Sequence, residues 1–191
     1  MFEQLYQSIH ENVTLTDEEW KFCKNSFRPK RMLKRQFLLQ EGDVCRQIAF
    51  IEKGALYSFS MDEKGTRHVM QFGFEGWWIA DLHSFFTETP STLNIEVLED
   101  AELLLIDHKN HNKLLKEIPA YEKYQRIIMQ NAYVALQQRV ENALGRTAEE
   151  RYCRLIERSP QFMNRVPLNL VASYLGMSPE TLSRIRSNYS G

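Results

Sequence analysis

Between Arg31 and Ile106 the apolar residues come in short alternating runs. Ala49 and Ile51 alternate with Phe50 and Glu52, and Tyr57 and Phe59 with Ser58 and Ser60. A two-residue period belongs to a β-strand with one face turned inward. The runs predict strands over Gln36–Gln40, Gln47–Glu52, Ala55–Met61, Arg67–Phe72, Thr92–Leu98 and Glu102–Ile106. Gly42-Asp43, Lys53-Gly54 and Lys64-Gly65 mark turns between them. Short strands at this regular spacing make a β-sandwich or barrel.

On both sides of the strands the period becomes helical. Phe2 to Asn12 is amphipathic, and Thr16 with Glu19 forms a capping box that opens a helix to about Phe27. Asp107 to Lys116 is a short helix stopped before Pro119. From about Ala120 a helix runs to Leu144 without Pro or Gly. It carries two apolar stripes, one of Tyr124, Ile128, Ala132 and Ala135, the other of Met129, Leu136, Val140 and Ala143. A helix apolar on two sides must be covered on two sides. The first stripe is assigned to the β domain. Met129, Tyr133, Leu136 and Val140 are assigned to the same helix of a second subunit across a two-fold axis. A helix buried between two domains of one chain would carry the same stripes.

Gly145-Arg146-Thr147 reads as a hinge, and Thr147 with Glu150 as a second capping box, opening a helix to about Ser159. In the stretch from Pro167 to Asn188, Val171, Ala172 and Leu175 fall at helical spacing before Gly176, where a positive φ is needed. Ser178 suits an N-cap and Pro179 the first helical position. The next helix turns Leu182 and Ile185 inward and Glu180, Arg184 and Ser187 outward. This is the pattern of a helix-turn-helix, whose second helix enters the DNA major groove. A helical hairpin that merely closes a domain has the same pattern.

With 43% hydrophobic and 12% aromatic residues in 191, the chain can build a real core. The net charge of −1 is unevenly placed. Residues 139–191 hold eight arginines against five acids, and the rest sixteen basic against twenty acidic residues. A basic end on an acidic body fits a DNA reader. Cys23, Cys45 and Cys153 are odd in number and scattered, as expected of reduced thiols in a cytoplasmic protein. The N-terminus lacks the regions of a signal peptide, and no run approaches the ~20 apolar residues of a membrane helix. A soluble, cytoplasmic chain with no membrane partner is expected.

In order, two helices, a β-roll, a long helix, a Gly hinge and a helix-turn-helix resemble the Crp/Fnr family, that of the cyclic AMP receptor protein and the fumarate–nitrate regulator. The resemblance covers nearly the whole chain. It is carried by Gln40-Glu41-Gly42-Asp43, by Ile48 to Phe50 leading to Gly54, by Glu75-Gly76 to Leu82, and by Ser178 to Arg184. It implies an α+β chain with an N-terminal double-stranded β-helix (jelly-roll) sensor domain over 1–118. A dimerisation helix and hinge over 119–145 and a helix-turn-helix domain over 146–191 complete it. It further implies a homodimeric transcriptional regulator without catalytic activity. Palindromic double-stranded DNA, a second copy of the chain and RNA polymerase are the candidate partners. The alternative is a small-molecule-binding β-roll without sequence-specific DNA binding.

In that family a cyclic nucleotide is held by backbone amides and a Gly-Glu pair, and an Arg-Ser pair neutralises its phosphate. The matching positions here are Ala80 and Asp81, then Ser91 and Thr92, and no Arg or Lys occurs between Arg67 and Lys109. A buried phosphate needs a guanidinium and amide donors. It would instead meet Asp81, Glu88 and Glu96, so cyclic AMP binding is not expected. The expected effector pocket comprises Trp78, Ala80, Asp81, Leu82, Ser91 and Thr92 with Leu136 and Gln137. It holds an uncharged small molecule or is filled by Trp77, Trp78, Phe85 and Phe86. No cofactor or metal is expected. Three scattered cysteines cannot ligate an iron–sulfur cluster. His68 and His83 read as ordinary surface or core histidines, and His108 and His111, one turn apart, as a solvated face without a third ligand. The His-x-His of a cupin metal enzyme, a nucleotide-binding Gly loop and a nucleophile elbow are all missing.

The resemblance also places the DNA contacts at Ser178, Pro179, Glu180, Ser183, Arg184, Arg186 and Ser187. Glu180 would accept from cytosine N4, and Arg184 would donate to guanine O6 and N7. Their spacing equally suits a helix-surface ion pair, in which Glu180 could also brace Arg184. Family members often carry a β-hairpin wing after this helix. The sequence here stops at Gly191, which leaves phosphate contacts to helix ends, Arg165 and Arg186, with modest non-specific affinity.

Overall fold

A computed structural model describes residues 1–189. The order is α1 (Glu3–His10), α2 (Asp17–Asn25), β1 (Arg28–Met32), β2 (Phe37–Leu39), β3 (Gln47–Met61), β4 (Arg67–Gly73), β5 (Trp78–Ile79), α3 (Leu82–Thr87) and β6 (Asn94–Asp107). Then come α4 (His108–Glu117), α5 (Pro119–Gly145), α6 (Ala148–Arg158), α7 (Phe162–Arg165), α8 (Leu168–Leu175) and α9 (Pro179–Tyr189). Both capping boxes form, at Thr16/Glu19 and Thr147/Glu150.

The strand pairings are antiparallel, and β3 and β6 run side by side from Gln47↔Asp107 to Phe59↔Asn94. In one half of the roll β1 adds to β6 and β5 to β3. In the other half β2 adds to β6 and β4 to β3. The two halves therefore share β3 and β6, which is the jelly roll expected. The bend between them lies at Gly54. There φ is +90°, the β3–β6 register slips, and an added Cβ would sit 2.4 Å from the Asp100 carbonyl oxygen. Lys53-Gly54 is thus a bulge inside one long strand and not a turn between two. The last two predicted strands likewise merge into β6. A Gly interrupting an alternating pattern reads the same for a bulge as for a reversal.

β1, with the sequence Arg-Pro-Lys-Arg-Met, gave no strand signal because it is a charged edge strand, the usual defence of an open edge. Pro119, read as a stop, is the first residue of α5, where its missing N–H costs nothing. Buried Glu52 accepts the backbone N–H groups of Gln4 (3.2 Å) and Leu5 (2.8 Å), so a carboxylate sits at the positive end of α1. The Tyr124 hydroxyl meets Ser8 Oγ at 2.9 Å and accepts from Trp78 Nε1 at 3.1 Å, which fastens the start of α5 to the roll. Beyond Ile128 the helix packs no further apolar side chain into the roll's core, and Arg139 meets the roll again at the edge of β4. Ala132 and Ala135, assigned to the β domain, are exposed. His111 is not on a solvated face. It is buried beside Phe85 and Tyr121, and burial pushes its pKa down to about 4, keeping it neutral. Among the described residues no cluster of ligands suits a metal ion, and no helix is long and apolar enough to cross a membrane.

Candidate nucleic-acid interface

α8 ends at Gly176 with φ +66°, and the N–H groups of Gly176 and Met177 return to the carbonyls of Ser173 and Ala172. Ser178 Oγ then accepts the Thr181 N–H at 3.2 Å and starts α9. Ala172, fully buried, sits between Leu170, Val171 and Leu175 and the inward Leu182 and Ile185 of α9. The helix-turn-helix thus forms as expected. The outward face of α9 is open: Pro179, Glu180, Ser183, Arg184 and Ser187 line one shallow depression and are exposed. The Glu180 carboxyl is held below its ordinary value by hydrogen bonds from the Ser178 hydroxyl and a backbone amide. Among the described residues Arg184 forms no ion pair, so the expected Glu180–Arg184 brace is not made. The guanidinium keeps its donors for another partner. Arg186 is half-buried and lies outside that depression.

The helix-turn-helix unit is also fastened to the roll. Arg165 lies between two carboxylates, with Nη1 at 2.7 Å from Glu75 and Nη2 at 2.6 Å from Glu99, and its guanidinium covers the Phe74 ring. Burial works to raise the Glu75 pKa, but hydrogen bonds from Arg165 and from backbone amides overcome it and hold the carboxyl below its usual value. Arg165, expected on a DNA phosphate, is therefore committed to the sensor domain. Ser173 Oγ accepts the Val69 N–H at 3.0 Å and donates to the Arg67 carbonyl at 2.7 Å, which occupies part of the open edge of β4. Arg139 of α5 donates to the carbonyls of Val69 and Met70 on the same edge. Phe72 and Phe74 meet Phe162 edge-on at 5.1 and 5.2 Å, and Phe72 meets Tyr174 at 5.3 Å. With Tyr57, Phe59, Val69 and Leu98 they join the roll's outer face and the helix-turn-helix in one core. Sequence reasoning missed this interface. Its one visible signal was a strand, Tyr57 to Phe59, with aromatics on the face away from the roll's own core.

The expected effector pocket is only partly assembled. Asp81 is buried and caps α3 by accepting the Ser84 N–H, and its other oxygen takes the Ser91 hydroxyl at 2.6 Å. Ser91 is pinned in turn by Gly42 and Asp43 through paired backbone hydrogen bonds of 2.8 Å. Trp78 turns to Tyr124, while Leu82 and Thr92 are exposed and Ala80 is half-buried. Leu136 and Gln137 are exposed on the second half of α5, and Gln137 makes no hydrogen bond to Asp81 or Ser91. Of the aromatics expected to fill the space, Phe85 is buried and Trp78 half-buried, but Trp77 and Phe86 face outward.

Residues 29–118 match the cyclic nucleotide-binding domain. The transcriptional activator Anr of Pseudomonas aeruginosa is 24% identical over 189 residues, spanning 93% of this chain and 77% of that protein. FixK2 of Bradyrhizobium japonicum shares the fold with a TM-score of 0.71 at 16% identity, over 85% of this chain and 83% of that one. The catabolite activator protein of Thermus thermophilus does so with a TM-score of 0.57 at 16% identity, over 92% and 84%. In sequence and fold the chain is similar to the Crp/Fnr family of transcriptional regulators. Residues of the roll match a cyclic nucleotide-binding domain, and inside it the Asp81 carboxylate and the Ser91 hydroxyl satisfy one another.

Replacing Arg165 by Ala leaves Glu75 and Glu99 facing one another without a counter-charge. The variant is expected to lose about 1–3 kcal/mol at neutral pH. The Glu75 contribution has a depressed folded pKa. It is therefore present above the ordinary value of 4.5 and is lost as pH falls below it. Urea midpoints followed from about pH 5 to about pH 3 should fall steeply in the native chain and much less in Arg165→Ala. Equal slopes would show that the Arg165 contact does not hold the domains together.

Proposed function

We propose that this Crp/Fnr regulator works in the cytoplasm as a homodimer, reads a palindromic DNA site with α9, and takes no cyclic nucleotide in its roll. The observation that carries the reading is the open polar face of α9, where Arg184 forms no ion pair with any described residue and Glu180 stands exposed one turn before it, behind a capped N-terminus. An amide-bearing helix start suits a phosphate, and an unpaired guanidinium suits guanine O6 and N7. Homodimerisation is supported by the part of α5 beyond Ile128. Met129, Tyr133, Leu136 and Val140 follow a four-three-four spacing and are exposed, Tyr133 at 69% and Leu136 at 56%. That is the seam of a coiled coil without its partner. Such a dimer sets two α9 helices for half-sites about 34 Å apart. RNA polymerase is the further protein partner that a regulator of this family invites.

The absence of a cyclic nucleotide response is supported by Asp81 and Ser91, which satisfy one another where a phosphate would need cationic and amide donors. Hydrogen-exchange mass spectrometry in about 1 mM cyclic AMP should show no added protection over residues 79–92. Protection confined there would overturn this part of the reading.

Leu136→Asp places two carboxylates at the two-fold axis, at several kcal/mol per ion. Sedimentation at micromolar concentration should find a monomer, and a persistent dimer would refute the seam. Arg184→Ala should weaken binding by ~1–3 kcal/mol per half-site and relax the choice of base at one position. Binding-site selection decides it, since an unchanged consensus at full affinity would mean that α9 does not read bases.

A further inference from the structure

Where α5 ends and α6 begins, beside β4 and α8, lies a cleft of about 410 Å³. Arg139, Arg151, Arg154 and Arg158 line it, and no Asp or Glu does. Three of these arginines are held only by neutral oxygens. Arg139 donates to the Val69 and Met70 carbonyls, Arg151 to the Leu175 (2.9 Å) and Arg146 (2.8 Å) carbonyls, and Arg158 to the Gln138 amide oxygen (2.7 Å). Arg154 makes no hydrogen bond or close ion pair with any described residue; it feels the opposing charge of Glu150, one turn back on α6 and outside the cleft lining. Arg165, by contrast, is half-buried between two carboxylates.

Four guanidiniums around one concavity repel each other, and a multiply charged anion would relieve the repulsion while meeting their unused donors. The same cleft offers an open aromatic face: Trp77 is 41% exposed at its wall, whereas Tyr174 is stacked on Phe162 and covered by the Arg139 guanidinium at 4.3 Å from its ring centroid. Guanidiniums beside exposed aromatic rings are the chemistry that takes a phosphate together with a flat base.

We propose that this cleft binds a nucleoside phosphate carrying at least two negative charges, its phosphates on Arg151, Arg154 and Arg158 and its base against Trp77. The site is separate from Asp81 and Ser91 in the roll and from the DNA-facing side of α9. Its lining comes from β4, α5, α6 and α8, so an occupant bridges the sensor, the long helix and the helix-turn-helix and sets the position of α9.

Calorimetric titration of the full chain without DNA tests the inference separately from the reading of DNA. AMP, ADP and GDP are titrated beside inorganic pyrophosphate and adenosine. At least one nucleotide is expected to bind once per chain with a dissociation constant below about 100 μM, pyrophosphate more weakly and adenosine not at all. Arg154→Ala removes no internal hydrogen bond, so it should fold as the native chain does and weaken the nucleotide about tenfold or more. Trp77→Ala should weaken the nucleotide but not pyrophosphate. The proposal is overturned if no nucleotide binds, or if Arg154→Ala binds as the native chain does. It is equally overturned if Arg154→Ala only weakens DNA of every sequence alike, which would assign the arginine to the DNA backbone.

Discussion

One carboxylate, that of Glu75, ties the two halves of this molecule together. Its Oε1 accepts the Gly54 N–H at 2.9 Å, at the bulge where the roll bends, and also an Arg165 N–H at 2.9 Å, from the end of α7. Its Oε2 takes the other arm of the same guanidinium. The backbone donor released by the bulge and the cation of the helix-turn-helix domain are therefore satisfied by a single side chain. An unpaired buried donor or charge is costly, so the bend of the roll and the seat of the DNA-facing domain are set together.

The rest of the interface follows from that placement. With Arg165 held at Glu75 and Glu99, α7 and α8 lie across the outer aromatic face of the roll, and Ser173 reaches the free edge of β4. α9, on the far side of α8, is left with its polar face outward and its apolar face in the shared core. The helix-turn-helix thus buries much of its core against the sensor, and the connection at Gly145 carries little of the burden. Any signal that repositions α9 has to act on this contact or on the arginine-lined cleft beside it.

Inside the roll, the polar groups of the α3 region are satisfied by one another. Asp81 caps α3 and accepts from Ser91, and Ser91 is anchored to the Gly42-Asp43 turn. These bonds fix the strand connections that would otherwise be organised around a bound anion. Tyr124 and Trp78 close the same region from the side of α5. The sensor domain is therefore a finished core, and the part of α5 that projects beyond Ile128 is the unfinished surface.

Local chemistry was legible in the sequence. The capping boxes at Thr16 and Thr147, the Gly176 break, the Ser178–Pro179 helix start and the alternation through Tyr57 and Phe59 each depend on neighbours a few residues away. The caps, the Gly176 break and the helix start appeared as read, while the strand through Tyr57 and Phe59 formed but is buried on both faces, its aromatics outside the roll's own core. The missing arginine at Ser91 was equally plain. Other features rested on distant partners and had no local signal. Gly54 is a bulge and not a turn because Asp100 lies opposite it. Arg165 meets carboxylates 66 and 90 residues away, and Ala132 and Ala135 stay exposed because α5 adds nothing to the roll's core beyond Ile128. The four arginines of the cleft lie on two helices that read as ordinary charged faces, and only their packing beside β4 brings them round one space with no carboxylate in its lining. Hydrogen-bonding turns and periodic faces are set by short-range geometry, which sequence records directly. The pairing of charges and the sharing of a core depend on which surfaces the folded chain brings within a few ångströms, and tertiary structure alone decided that.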